Sequence, residues 1–194
     1  MPLVSLLLCS LLSSAHAAPA RAPAAPTTYA LDAGASRVSF ELSASLNDLH
    51  GAASNLSGTL SLEGKDGVSG ALQIPVAGLS TGLGPRDAKI QAGALAADRY
   101  PSIVFEVQSA SNRALLAAGS GSGEVDLVGT LTVRGQSRPL TVRADATWKD
   151  GALVLAGAAP LRWADLGLPT ADLGYTTLLS SVNVRFNVQL RPTS

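Results

Sequence analysis

The sequence predicts an all-β fold: an antiparallel sheet of about eight strands with one short helical insertion, closed into a barrel or folded into a sandwich. Three observations predict it. Apolar residues recur with period two in one run after another, the pattern of strands with one buried face. Hairpin signals separate the runs, Asp66-Gly67 and Asp150-Gly151 among them. The composition agrees: 19 Gly, 4% aromatic residues and many short runs of Val, Leu and Thr suit a strand-rich chain of 194 residues.

The chain begins with an apolar run from Leu3 to Leu12, broken only by Ser5, Cys9 and Ser10. A membrane-spanning helix needs about 20 residues, so this run is too short to be one. Ala15-His16-Ala17 follows as an A-x-A cleavage pattern, and residues 1–17 read as a secretory signal peptide, although no Lys or Arg precedes the apolar run. Leu6-Leu7-Leu8 ahead of Cys9 lacks the small residue that a lipid anchor requires. Cleavage near Ala17 removes Cys9 and His16, which leaves no thiol and only His50 in the mature chain, so redox conditions should not alter its stability. Export is expected. Residues 18–28, rich in Pro and Ala without apolar period, read as a linker ahead of a single domain over 29–192.

Within that domain Val38, Phe40 and Leu42 alternate with Arg37, Ser39, Glu41 and Ser43. Residues 47–51 read as a polar turn holding His50. Leu56, Gly58, Leu60 and Leu62 mark the next run, and a turn over residues 64–67 leads to Val68, Gly70, Leu72, Ile74 and Val76. Pro75 lacks an amide donor, so its strand should bulge or lie at an edge there. Residues 85–98 break the alternation: Pro85 suits a first helical position, and Ile90, Ala94 and Ala97 share one helical face. Alternation resumes with Ile103, Phe105 and Val107, then Val125 to Val133, then Leu140 to Trp148, and continues over 152–163. After a looser stretch with Gly167, Pro169 and Gly174, the last strand carries Val182, Val184, Phe186, Val188 and Leu190 on one face.

The function classes narrow by subtraction. Lys and Arg number 14 against 14 Asp and Glu, scattered singly, which gives no footprint for nucleic acid. Serine-hydrolase chemistry would have to rest on His50, and a Cys/His metal site cannot form from that one histidine without a cysteine. No catalytic residue and no metal site is therefore assigned. The shared strand phase instead nominates an apolar lumen lined by Phe40, Leu42, Leu60, Leu72, Ile74, Phe105, Val107, Leu127, Leu131, Val142, Ala144, Val184 and Phe186. Gly58, Gly70, Gly129, Ala144 and Ala146 fall on the same faces, where small residues either leave room for a ligand or allow close packing of strands. Arg86 and Lys89 are candidates for a charged head group at the lumen mouth, with a helix-end salt bridge to Asp87 or Asp98 as the alternative role.

Several segments, in this order and spacing, resemble the YceI-like family of exported bacterial proteins. They are residues 29–32 with 36–40, Arg86-Asp87 followed by residues 100–105, and residues 129–135 with 139–142. The resemblance covers roughly Tyr29 to Arg191. It implies a lipocalin-like antiparallel barrel, a periplasmic location, an internal channel for a polyisoprenoid chain and a helix after Arg86 set against the barrel; the missing catalytic groups argue separately against an enzyme. A bound isoprenoid or isoprenoid-quinone lipid is then the expected ligand, with no other cofactor. The alternative is a non-catalytic accessory protein that acts through a membrane redox or envelope partner. Where the family often has histidines and an aromatic pair, this chain has Ala35, Lys89 and Ala94-Leu95, which bears on the ligand's head group and leaves the barrel untouched.

Overall fold

The computed structural model describes residues 27–64, 66–166, 168 and 177–193. Residues 1–17, read from sequence as a signal peptide, most of residues 18–28, read as a linker, and Gly167, Pro169 and Gly174 lie outside the described residues. The period-two runs become β1 (Thr27–Leu31), β2 (Arg37–Ala44), β3 (Leu49–Ala53), β4 (Ser57–Glu63), β5 (Gly67–Pro75), β6 (Leu79–Ser80), β7 (Ser102–Ala110), β8 (Ser122–Val133), β9 (Gln136–Lys149), β10 (Ala152–Arg162) and β11 (Leu178–Pro192). Along one side of β11 run two segments in series: β1, with Leu31 opposite Leu190, and β2, with Arg37 opposite Asn187. Next to them run β4 and β3, then β5 and β6. The pairs β1–β2, β3–β4 and β5–β6 are thus three long strands, each broken once. With β7 to β11 they form a closed, eight-stranded antiparallel barrel, as the sequence predicts.

The polar groups of the three breaks find partners in one another or in neighbouring segments. Ser54 donates to Gly78 O from its amide at 2.9 Å and its hydroxyl at 3.1 Å, and Val76 N donates to Pro101 O at 2.8 Å. Ser36, buried in the first break, accepts the Gln189 amide at 3.0 Å, as a buried polar group must find a partner. Pro75 is the last residue of β5, where its missing donor ends the ladder. The Asp150-Gly151 turn has both residues in the left-handed region (φ 50° and 73°), the geometry of a tight two-residue hairpin.

The two ends of the barrel differ. One is packed solid. Between β7 and β8 a helical turn α2 (Arg113–Ala117) inserts Leu116, which is wholly buried, among Val125, Ala144, Ala146 and Leu153. Trp148 fixes this plug: its indole Nε1 donates to Leu115 O at 2.8 Å, and Tyr29 meets its ring edge-on at 5.7 Å. At the other end, the predicted insertion forms α1 (Gly84–Lys89), with Pro85 in its first turn, followed by a π-helical turn Ile90–Ala94. Ile90, Ala94 and Leu95 bury their side chains there with Leu42, Val133, Trp163 and Leu166.

Three expectations change. The helix α2 was not expected, because five residues are too few to establish a helical period in sequence. His50 belongs to β3 and not to a turn; it faces solvent, with Nδ1 3.6 Å from Glu41 Oε2. Thr27 and Thr28, assigned to the linker, already pair with β4 opposite Leu62 and Ser61.

One junction in the barrel is incomplete. The ladder between β9 and β10 runs from Lys149 opposite Ala152 to Ala144 opposite Gly157 and stops there. Beyond it β9 stays paired with β8 as far as Gln136, and β10 with β11 as far as Arg162. Residues 136–143 and 158–162 therefore border a seam without backbone bonds across it. Each stretch carries a proline, Pro139 and Pro160, which has no amide to offer a neighbouring strand.

Candidate ligand cavity

A cavity of about 220 Å³ occupies the barrel between the α2 plug and the α1 end. An apolar cavity of roughly 150 Å³ is already enough to stay dry and take up a benzene-sized molecule, so this one exceeds ordinary packing defects. No ionisable side chain lines it, and Thr59 and Trp163 are the only lining residues with polar side-chain atoms among the described residues.

The strand phase read from sequence accounts for most of the wall. Phe40 and Leu42 come from β2, Leu60 from β4, Leu72 and Ile74 from β5, and Phe105 and Val107 from β7. Leu127 and Leu131 come from β8, Val142 from β9, and Val184 and Phe186 from β11. Ala144 is inward too, but it sits in the solid end beside Val125 and does not line the cavity. Sequence reasoning missed Ile90 and Leu95 at the helical end as lining residues, along with Leu161, Trp163, Leu166 and Leu168. The phase set by Leu153 and Leu155 continues through Ala159 and Leu161 to Trp163, so an available signal would have found four wall residues, Leu155, Ala159, Leu161 and Trp163.

The inward glycines answer the question left by sequence. A Cβ on Gly70 would meet Thr59 O at 2.4 Å, and one on Gly129 would meet Glu106 O at 2.0 Å. These positions serve the close approach of coiled strands. Gly51 and Gly157 have a second role: each lies under a phenylalanine ring from its registered cross-strand partner, Phe40 and Phe186. Phe105 lies close to Gly129 in the same way, with Cε2 3.1 Å from the position of a Cβ there. All three phenylalanines of the chain thus lie against glycines in the wall.

Arg86 and Lys89 are on α1 and neither lines the cavity. Arg86 Nε donates to Thr81 Oγ1 at 2.6 Å and Nη2 to Thr81 O at 2.8 Å. Asp87 accepts from Ser80 Oγ at 2.7 Å, from Thr81 N at 2.8 Å and from Thr81 Oγ1. Arg86 and Asp87 thereby fasten α1 to the end of β6. Trp163 is an exception among the buried side chains of the described residues: its indole Nε1 is buried at the cavity wall with no hydrogen-bond acceptor among them. An unmatched buried donor costs about 1–3 kcal/mol. Among the described residues no group of three His, Cys, Asp or Glu side chains is arranged to hold a metal ion.

Comparison with known proteins gives a consistent answer. No curated protein matches the chain. Among solved structures, a polyisoprenoid-binding domain from Saccharophagus degradans aligns with a TM-score of 0.73 at 20% identity, covering 85% of this chain and 98% of that one. BcnA of Burkholderia cenocepacia aligns with a TM-score of 0.67 at 19% identity, covering 82% and 98%. The YCEI protein of Campylobacter jejuni aligns at 0.57 and 18% identity, covering 77% and 87%. At these identities the likeness establishes the barrel. The family model for the YceI-like domain matches residues 29–190, and the chain belongs to the YceI-like family.

Proposed function

We propose that this protein binds one long-chain apolar lipid of isoprenoid type in its barrel and carries it without transforming it. The observation that carries this reading is the cavity of about 220 Å³ with no ionisable side chain in its wall among the described residues. A charge left unpaired in such surroundings is expensive, so the enclosed part of the ligand is hydrocarbon. Each buried CH₂ contributes roughly 0.8 kcal/mol, so a chain of many such groups binds firmly without polar contacts. Family membership and the polyisoprenoid-binding name of the Saccharophagus degradans neighbour support the isoprenoid class. The carrier works outside the cytoplasm, in keeping with the signal-like residues 1–17.

Trp163, one of two tryptophans in the chain, lines the cavity, whereas Trp148 sits in the plug. Titrating Trp148→Phe protein, stripped of lipid, with an isoprenoid alcohol such as farnesol should change the Trp163 emission saturably at one equivalent. A spectrum that does not respond, with no binding detected by calorimetry, would contradict the reading.

A further inference from the structure

A second pocket, of about 140 Å³, lies in the unpaired seam between β9 and β10. Unlike the lumen, it has charged groups in its wall. Arg138 and Pro139 come from β9, Pro160 and Arg162 from β10, and Asp165 from the turn that follows. Leu131, Leu140, Leu161 and Leu166 line this pocket and the lumen alike, so the two spaces are neighbours across the side chains of those four leucines.

The two guanidinium groups are not equivalent. Arg162 Nε and Nη2 donate to the Asp165 carboxylate at 2.9 and 3.3 Å, so its charge is already matched. Arg138 donates from Nε to the backbone O of Asp165 at 3.0 Å and from Nη1 to its neighbour Ser137 O at 2.9 Å. Carbonyl oxygens carry no formal charge, and among the described residues no carboxylate forms an ion pair with Arg138. The seam thus holds two guanidinium groups against one carboxylate, beside an uncharged cavity. The same turn carries Trp163, whose buried indole N–H lacks an acceptor among the described residues.

From this we infer that the seam is a side opening of the barrel where the ligand's polar end is held, and that this end is an oxyanion, a phosphate or a carboxylate. Arg138 supplies the matching charge, and the hydrocarbon passes between the four leucines into the lumen. A guanidinium suits such a group because its planar fork presents paired N–H donors to two oxygens. The inference rests on the lumen reading above and adds to it the class of head group and the place where it sits.

The test compares three probes of one chain length: hexadecyl phosphate, palmitate and hexadecanol. Their affinities are measured by calorimetry for the lipid-stripped protein, Arg138→Gln and Arg37→Gln. Arg138→Gln leaves the Arg162–Asp165 pair intact. Arg37 is a matched control, an exposed arginine whose hydrogen bonds also go to backbone carbonyls, here of Gly34 and Ser36. The wild type and Arg37→Gln should bind at least one of the two anionic probes about tenfold or more tightly than the alcohol. Whether the phosphate, the carboxylate or both show that preference identifies the head group. In Arg138→Gln the preference should fall to within about twofold because the anionic probes lose affinity. Alcohol binding without any anionic preference, or a preference that survives Arg138→Gln, overturns the seam inference and leaves the lumen reading standing. Failure of all three probes to bind overturns both.

Discussion

Phe40 of β2 lies directly across Gly51 of β3, its partner in the ladder, so closely that a Cβ on residue 51 would sit 2.2 Å from the ring's Cζ. The ring therefore rests against the wall, and the same arrangement of Phe186 over Gly157 repeats it elsewhere in the barrel. Bulky apolar side chains line the lumen without filling it, because glycine on the neighbouring strand gives them somewhere to lie.

Gly51→Ala should accordingly destabilise the barrel by about 1–3 kcal/mol, the usual cost of overpacking, since the new methyl also meets Ser80 O at 2.7 Å. Urea unfolding measures this. An unchanged midpoint would show that the ring and strand move aside freely.

Leu116 tests the plug. Wholly buried between the barrel walls, it should cost about 2–5 kcal/mol on truncation to Ala. Because Leu116 itself does not line the cavity, the folded variant should keep the ligand affinity of the wild type. A large loss of affinity with little loss of stability would reverse the roles assigned to the two ends.

Acid should loosen the barrel through Asp32 and Asp87. Asp32 is held below the ordinary carboxylate range first by the hydrogen bond from Arg191 at 3.2 Å and then by the Ala35 amide. For Asp87, burial acts to raise the pKa, but the bonds from Thr81 and Ser80, together with the charge of Arg86, outweigh it and lower it. Groups with lowered folded pKa values stabilise the protein above their unfolded values, near 3.9, and that stability is lost as pH falls through the folded values. Denaturation midpoints of the wild type should therefore drop below about pH 4. Asp32→Asn with Asp87→Asn should start lower at pH 7 and fall less, whereas an acid limb of unchanged steepness would contradict the assignment.

Much of this was legible in the sequence because a barrel repeats one rule. Period two fixes which side chains point inward, and twelve of the thirteen nominated lining residues do border the cavity. Ala144 shows the limit of that rule. Strand phase separates inside from outside but says nothing of height along the barrel, and Ala144 falls in the half filled by Leu116. The plug was hidden because α2 is shorter than two helical turns. The seam was hidden because it depends on where pairing stops, although Pro139 and Pro160 on adjacent strands were its visible trace.

Ala159 is the place to fill the lumen, since it is buried in the cavity wall opposite Val184. Ala159→Phe should fold, with a strand-dominated circular dichroism spectrum, and should lose ligand affinity by tenfold or more. Retention of full affinity by the folded variant would place the ligand elsewhere.

The central claim is that a lipid occupies the barrel, and native mass spectrometry of protein released from the cell envelope without detergent tests it most directly. The account predicts a species heavier than the bare protein by one apolar lipid, recovered in one-to-one amount on organic extraction and missing from Ala159→Phe. Wild-type protein that flies only at its bare mass, and whose organic extract holds no stoichiometric lipid, would contradict it.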